Sequence, residues 1–337
     1  MSGTRVVVIM PVYNEARHLQ RVLASISAQQ FDLRRLFFVA VDGGSTDGSA
    51  QILREWLRCG EIEGRVVSNP RRKIPISLNA GLEYATSDDV IARLDAHTLY
   101  GPTYLADAVS ALEQAPADVA CVGGPQRPIP GARFSQLLVA ALYTNPMGLG
   151  GAEFRFGNEV REVDHVYLGV WRPGILMRAG GFNEELEANE DGEMSARIRA
   201  LGYRILRVPL TCAFIINRGV WGSIKQWHRY GYWRCKMLQS NPRDIRRRHL
   251  VTPIAAVTAV ALACSPLRLL LLPLFGAYSL LVFRGRANGE STMVTLATMF
   301  YFPALQFAFA AGMLAALVTG RGNVRRPLSA ARPAGID

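Results

Sequence analysis

Apolar positions in the first hundred residues switch repeatedly between two kinds of pattern. Val6 to Met10 is a continuous, mostly β-branched run, which predicts a strand buried on both faces. Leu19, Val22, Leu23 and Ile26 then recur at helical spacing, with Asn14 placed to cap a helix starting near Glu15. Leu36 to Val41 predicts a second buried strand, ended by Asp-Gly-Gly-Ser-Thr-Asp. A helix is expected from about Ser49 to Leu57, with Ile52, Leu53, Trp56 and Leu57 inward. Arg65 to Ser68 reads as a third strand, Ile76 to Ala85 as a helix and Val90 to Leu94 as a fourth strand. Strands alternating with helices imply right-handed parallel crossovers and an α/β sheet. Ligands of such sheets sit beyond the carboxyl ends of the strands. The polar clusters around Asn14, Asp42 and Asp95 fall at those ends.

The pattern changes near residue 250. Residues 1–249 have mixed polarity, whereas 250–319 are dominated by Leu, Ala, Val, Phe and Met, broken only around Arg284 to Glu290. Both apolar blocks, Leu250 to Phe283 and Thr292 to Thr319, exceed the roughly 20 residues that a membrane crossing needs. The first is expected to turn at Ser265-Pro266-Leu267-Arg268, and the second to be one long helix kinked at Pro303. Arginines flank every junction, so three full crossings conflict with the positive-inside tendency, and one block is expected to be re-entrant or interfacial. Met1 to Arg5 lead straight into a strand rather than a long apolar run, so the preceding domain is expected to stay cytosolic.

Charge sharpens this division. The net charge is +11, yet between Arg197 and His249 thirteen Arg and Lys residues face the single acid Asp244. A basic stretch abutting an apolar tail suits an anionic membrane surface, each nearby cation contributing about 1 kcal/mol. Nucleic-acid binding is disfavoured, because no recognisable module is present and the apolar tail would go unexplained. The five cysteines are scattered, without a closely spaced pair, and imply neither zinc site nor disulfide framework.

Candidate chemistry concentrates in Arg93-Leu94-Asp95-Ala96-His97. If the strand carries through this segment, Asp95 and His97 point to one face, where a carboxylate and an imidazole can share a divalent ion that neutralises a diphosphate. The alternative is a strand-end turn with a capping Asp and a solvated His. The first strand is followed by Pro11-Val12-Tyr13-Asn14-Glu15, with no glycine, and a Walker loop is missing. Hydride transfer and ATPase chemistry are therefore disfavoured. An aromatic and a carboxylate at this turn suit stacking against a base and hydrogen bonding to it.

With PVYNE (Pro11 to Glu15), VDGGSTDGS (Val41 to Ser49), NPRRKIPISLNAG (Asn69 to Gly81), RLDAH, NEDGEMSARIRALGY (Asn189 to Tyr203) and QWHRY (Gln226 to Tyr230), the chain resembles the family 2 glycosyltransferases. The Asp-Ala-His form and the Arg-Tyr-Gly-Tyr-Trp-Arg stretch look most like the succinoglycan-type glucosyltransferases of bacterial exopolysaccharide assembly. The resemblance implies the GT-A nucleotide-diphospho-sugar transferase fold, a mostly parallel sheet flanked by helices, over residues 1–235. A basic juxtamembrane segment (236–249), membrane-associated helices (250–320) and a basic, disordered tail (321–337) are expected to follow.

The resemblance also implies roles. Pro11, Tyr13, Glu15 and Asp42 inherit the nucleotide-base contacts, although Gly43 stands where the family often has a second Asp. Asn69 and Arg72 take a further donor-contacting position. Asp95 and His97 correspond to the Asp-x-Asp metal site, with Mn²⁺ or Mg²⁺ as the cofactor and Mn²⁺ at least as effective, since imidazole suits it. Asp191 maps to the general base, although Asn189, Glu190 and Asp191 by themselves would also serve as a helix cap complementing the dipole. Glu190, Gln226, Arg229 and Tyr230 fall on the acceptor or diphosphate side; Tyr230 replaces the Trp of the family's Gln-x-x-Arg-Trp element, which puts processivity in doubt. Trp227, Tyr232 and Trp233 suit either an interfacial belt or sugar stacking.

The expected activity is inverting, metal-dependent transfer of a hexose, glucose foremost, from a UDP-sugar to a lipid-linked saccharide at a bacterial inner membrane. Rivals are transfer to a polyprenyl monophosphate, processive polysaccharide synthesis, and a catalytically silent nucleotide-sugar-binding scaffold.

Overall fold

The computed structural model describes residues 3–148, 155, 157–240 and 247–320. The chain runs β1 (Val6–Val12), α1 (Ala16–Ser27), β2 (Leu36–Asp42), α2 (Ser49–Cys59), β3 (Glu63–Ser68), α3 (Ile74–Leu82) and β4 (Val90–Arg93). There follow β5 (Thr98–Tyr100), α4 (Tyr104–Gln114), β6 (Val119–Gly124), β7 (Arg127–Ile129) and α5 (Phe134–Thr144). Next come β8 (Arg161–Glu162), β9 (Tyr167–Trp171), α6 (Ile175–Arg178), α7 (Glu190–Ala200), β10 (Arg204–Arg207) and β11 (Cys212–Ile215). The last elements are α8 (Val220–Ser240), α9 (Arg247–Ala263), α10 (Leu271–Arg284) and α11 (Thr292–Val318).

Two compact units divide the described residues. One holds 3–126, 155 and 157–214, the other 127–148, 215–240 and 247–320. The expected boundary near 235 therefore differs from this division: α5 and all of α8 group with the apolar helices.

The first unit is built on an eight-stranded sheet in the order β3-β2-β1-β4-β9-β6-β10-β8. β1 to β4 are parallel, as are β6 and β10, while β9 runs antiparallel between β4 and β6. Val6, Val8, Met10 and Val12 share one core with Leu19, Val22, Leu23 and Ile26 of α1. Each such side chain contributes about 1.5–3 kcal/mol relative to exposure. On the opposite face Gly81 of α3 lets the helix touch Ile9, because a Cβ there would run into the Ile9 side chain. Register levels the carboxyl ends of three strands: Val12 lies opposite Asp42, and Asp42 opposite Ser68. β4 stops lower, with Arg93 opposite Ile9.

Apart from β7, the second unit is built of helices. α8 and α11 pack so closely that a Cβ on Gly231 would strike the Phe309 carbonyl, and one on Gly312 the His228 carbonyl. Asn145 Nδ2 donates to the Val282 carbonyl at 2.8 Å, tying the end of α5 to α10. The first apolar block forms α9, a 3-10 turn at Pro266–Leu270 and α10, while the second is continuous through Pro303. Two segments, Pro266–Arg284 and Thr292–Val318, are long and apolar enough to cross a membrane; Leu250–Ala263 is shorter. Residues 321–337, and 241–246 of the basic 236–249 segment, lie outside the described residues.

Candidate active site

The β1–α1 and β2–α2 turns are stitched together at the sheet's carboxyl edge. Asn14, at φ 54°, donates its N–H to Ser45 Oγ (2.9 Å) and accepts from the Thr46 N–H (2.9 Å). It does not cap α1 as expected. Glu15 takes the N-cap position without a side-chain cap, and the Ala16 N–H donates instead to Asp47 of the next loop at 2.9 Å. The tertiary partner supplies what the local sequence was expected to supply. Burial works to raise the Asp47 pKa, but the Ser49 hydroxyl and the N–H groups of Ala16 and Ser49 hold it below the ordinary value. Asp47 is a residue that sequence reasoning passed over, although it sits in the quoted Ser-Thr-Asp-Gly-Ser stretch.

Four residues expected at the donor nucleotide occupy this edge in different ways. Tyr13 is exposed, and the Arg72 guanidinium lies 4.9 Å above its ring and donates to its hydroxyl at 3.0 Å. Arg72 has φ 59°, a strained backbone for a non-glycine residue. Asp42 is buried and accepts from the Gly44 and Ser45 N–H groups at 3.1–3.2 Å, closing its own turn. Asn69 is buried and gives both amide hydrogens to the protein, to the Lys73 carbonyl (3.0 Å) and Ser77 Oγ (2.9 Å). It therefore shapes the loop that carries Arg72. Pro11, which lacks an N–H, lies beyond the last β4 partner of β1.

Asp95 and His97 do not sit on a strand, which corrects the alternation argument. β4 ends at Arg93, and a turn follows in which the Thr98 N–H donates to the Asp95 carbonyl at 3.2 Å. The buried Tyr100 hydroxyl locks it, accepting from the Asp95 N–H (2.7 Å) and donating to the Asp95 carbonyl (3.1 Å). His97 Nδ1 lies 3.2 Å from Glu15 Oε1, so Glu15 orients the imidazole. A carboxylate on one ring nitrogen is the usual support of a metal-binding histidine.

Among the described residues no three His, Cys, Asp or Glu side chains form a set that could hold an ion by itself. Among the described residues, one Asp95 oxygen, Oδ1, is taken by a side-chain donor, Arg93 Nε. One carboxylate and one oriented imidazole fit an ion completed by diphosphate oxygens and water, not a dedicated protein cage.

The centre of the site is a residue that the sequence reading did not single out. Arg93 is buried, and its guanidinium reaches Asp95 Oδ1 (3.1 Å), Glu190 Oε1 (3.2 Å) and Asp191 Oδ1 (2.6 Å). A lone Arg ending the apolar run Val90-Ile91-Ala92 was its available signal. Glu190 and Asp191 open α7, after Asn189 at φ 66°. Burial pushes the Asp191 carboxyl up to about 7; Arg93 opposes the shift, while Glu190 and Asp95 reinforce it. Asn14, Arg72 and Asn189 are three of the four non-glycine residues with positive φ among those described, and strain of this kind gathers at functional sites.

Asn79 of α3 brackets the Gly180–Glu184 loop ahead of α7. It accepts from the Phe182 N–H (2.7 Å) and donates to the Phe182 carbonyl (2.8 Å) and Glu184 Oε1 (3.0 Å). Gln226, Arg229 and Tyr230 belong to α8 in the second unit, where Gln226 Nε2 donates to the Tyr230 hydroxyl at 2.5 Å. Trp227 is buried, with Tyr143 edge-on at 6.4 Å. It is a packing residue, neither belt nor stacking platform; the exposed tryptophan of this helix is Trp221.

Comparisons with known proteins address the family and the fold. Residues 7–166 match the family model described as glycosyl transferase family 2, and residues 90–318 match that of glycosyl transferase family group 2. The chain is similar to the succinoglycan biosynthesis protein ExoA of Rhizobium meliloti, 27% identical over 69% of each chain. It is also similar to a dolichyl N-acetyl-α-D-glucosaminyl phosphate 3-β-D-2,3-diacetamido-2,3-dideoxy-β-D-glucuronosyltransferase of Methanococcus voltae, 21% identical over 66% of this chain and 71% of that one. Among solved structures, the mannosyltransferase PcManGT of Pyrobaculum calidifontis, in complex with GDP-Man and Mn²⁺, shares the fold. It has a TM-score of 0.63 and 23% identity, over 94% of this chain and 88% of that one.

Proposed function

The chain belongs to glycosyltransferase family 2, and we propose that it moves a hexose, glucose foremost, from a UDP-sugar to a lipid-linked saccharide with inversion. The observation that carries the mechanism is Asp191, a carboxylate opening α7, tied to Asp95 through Arg93 and pushed up to about 7. A base is most effective with a pKa near the operating pH. Asp191 accepts the acceptor hydroxyl's proton while that oxygen forms its bond to the anomeric carbon. The bond from this carbon to the diphosphate oxygen breaks on the opposite side, and its electron pair leaves with UDP. Asp95 and His97 would hold a divalent cation, which would supply charge neutralisation to the diphosphate leaving group. Tyr13 and Arg72 provide an exposed aromatic and a cation for the nucleotide, with Asp42 and Asn69 shaping the turns beneath them.

A lipid-linked acceptor is supported by the Methanococcus relative, which is named for action on a dolichyl-linked sugar phosphate, and by the two long apolar segments. Crossing as a hairpin, they would put Arg246 to Arg248 and Arg321, Arg325 and Arg326 on one side, against Arg284 and Arg286 on the other. The positive-inside tendency then favours a cytosolic catalytic unit at a bacterial plasma membrane. Detergent-solubilised protein should be incubated with a panel of nucleotide sugars, Mn²⁺ and a membrane-lipid extract. Nucleotide release and the mass of an extracted lipid product identify donor and acceptor. Asp191→Asn should abolish transfer while leaving donor binding intact; retained turnover in that variant removes Asp191 as the base.

A further inference from the structure

We propose that Arg93 is a positioning residue, whose planar guanidinium fixes the base Asp191 relative to the donor-side carboxylate Asp95. The inference rests on the reading of Asp191 as the base. Arg93 ends a strand whose four residues are all buried, an unusual place for a charge unless it is paired. It is paired threefold, at 3.1 Å to Asp95, 3.2 Å to Glu190 and 2.6 Å to Asp191. Nε serves Asp95, while Nη1 is shared by Glu190 and Asp191.

One rigid fork thus spans from the turn after β4 to the first turn of α7, two segments nearly a hundred residues apart. A base tied in this way approaches the acceptor from a direction set by the turn that also carries the donor-side groups. A lysine keeps the charge but not the fork. Misplacing a reacting group by about 1 Å costs on the order of 10²-fold in rate.

Charge makes the tie consequential. Among the described residues, the groups with the largest effect on Asp191 are Arg93 of β4, Glu190 of α7 and Asp95 of the turn after β4, and Cys121 of β6 also faces it. Arg93 is the single cation among them, against two other carboxylates. Removing it therefore both frees the Asp191 side chain and leaves the carboxylates to repel one another.

The test uses the full-length, detergent-solubilised protein and compares wild type, Arg93→Lys, Arg93→Gln, Glu190→Gln and Asp191→Asn. Folding is followed by thermal melting, and donor KM, kcat and the pH dependence of kcat/KM are measured with identified donor and acceptor. Arg93→Lys should melt cooperatively, keep its donor KM within about threefold and lose roughly 10²-fold in kcat. Its acid limb should move to higher pH, and further in Arg93→Gln. Glu190→Gln, which removes one competitor for Nη1, should move the limb to lower pH and keeps the proposal testable if both Arg93 variants unfold.

Wild-type kcat and an unmoved limb in a folded Arg93→Lys would overturn the proposal. So would loss expressed wholly in donor KM, or an unmoved limb in Glu190→Gln. Turnover in Asp191→Asn defeats the base reading itself. An inactive Asp191→Asn beside unaffected Arg93 and Glu190 variants defeats this inference alone.

Discussion

Asp191 is a carboxylate whose surroundings oppose its ionisation: burial first, then Glu190 and Asp95, with only Arg93 in its favour. Its folded pKa of about 7 lies above the ordinary value of 3.8, so the folded chain binds this proton more tightly than the unfolded chain. The contribution to stability is complete below about 4 and lost as pH rises through about 7. Activity follows the opposite sense, because the base must be ionised. We expect kcat/KM to rise with pH on an acid limb near 7, and a profile flat from about pH 5 to 9 would exclude Asp191 as the titrating group. His97 carries a second prediction at this scale. An imidazole beside one carboxylate suits Mn²⁺ better than Mg²⁺, so Mn²⁺ should support at least equal activity and bind more weakly in His97→Ala, as read by metal titration of the protein. Activity with Mg²⁺ far above Mn²⁺ at saturation would oppose this. The sequence drew attention to Asp95 and His97 by their residue types and to Asp191 through the family resemblance, but the alternation that was to align the first two is absent, because β4 ends at Arg93. Arg93 was not legible, since nothing local distinguishes a strand-ending arginine that reaches solvent from one that turns inward to three carboxylates.

Most elements of the first hundred residues were legible as well, because burial on both faces leaves a continuous apolar run and α1 shows a clean helical stripe. The ends of elements were less so. The expected Val90 to Leu94 strand stops at Arg93, because Asp95 and Tyr100 close a turn. The α1 cap comes from Asp47, a partner that local sequence cannot announce. α8 departs furthest. Its Gln226 and Tyr230 are bonded to each other, and the helix packs backbone to backbone on α11 at Gly231 and Gly312. Gly231→Leu should therefore destabilise the helical unit by about 1–3 kcal/mol or more, as overpacking does. It should lower the thermal midpoint, while nucleotide binding by the sheet-based unit persists. An unchanged midpoint would mean that the close crossing is dispensable.

For the whole molecule, the apolar helices decide how the protein must be handled. α10 buries only Val282, and Leu272, Leu274, Leu280 and Leu281 are exposed. Such a surface marks a site of protein–protein or membrane interaction. We expect the protein to remain with membranes through alkaline and high-salt washes and to need detergent for release; release by salt alone would reduce its attachment to the basic stretch. The sequence by itself determined the α/β class and the apolar tail, because period and hydropathy are properties of neighbouring residues. Only the tertiary structure decided that Arg93 joins Asp95 to Asp191, that Glu15 holds His97, and that α8 belongs with the apolar helices. Those pairings are made across long stretches of chain, where a side chain's partner is set by packing of the sheet and helices rather than by its place in the sequence.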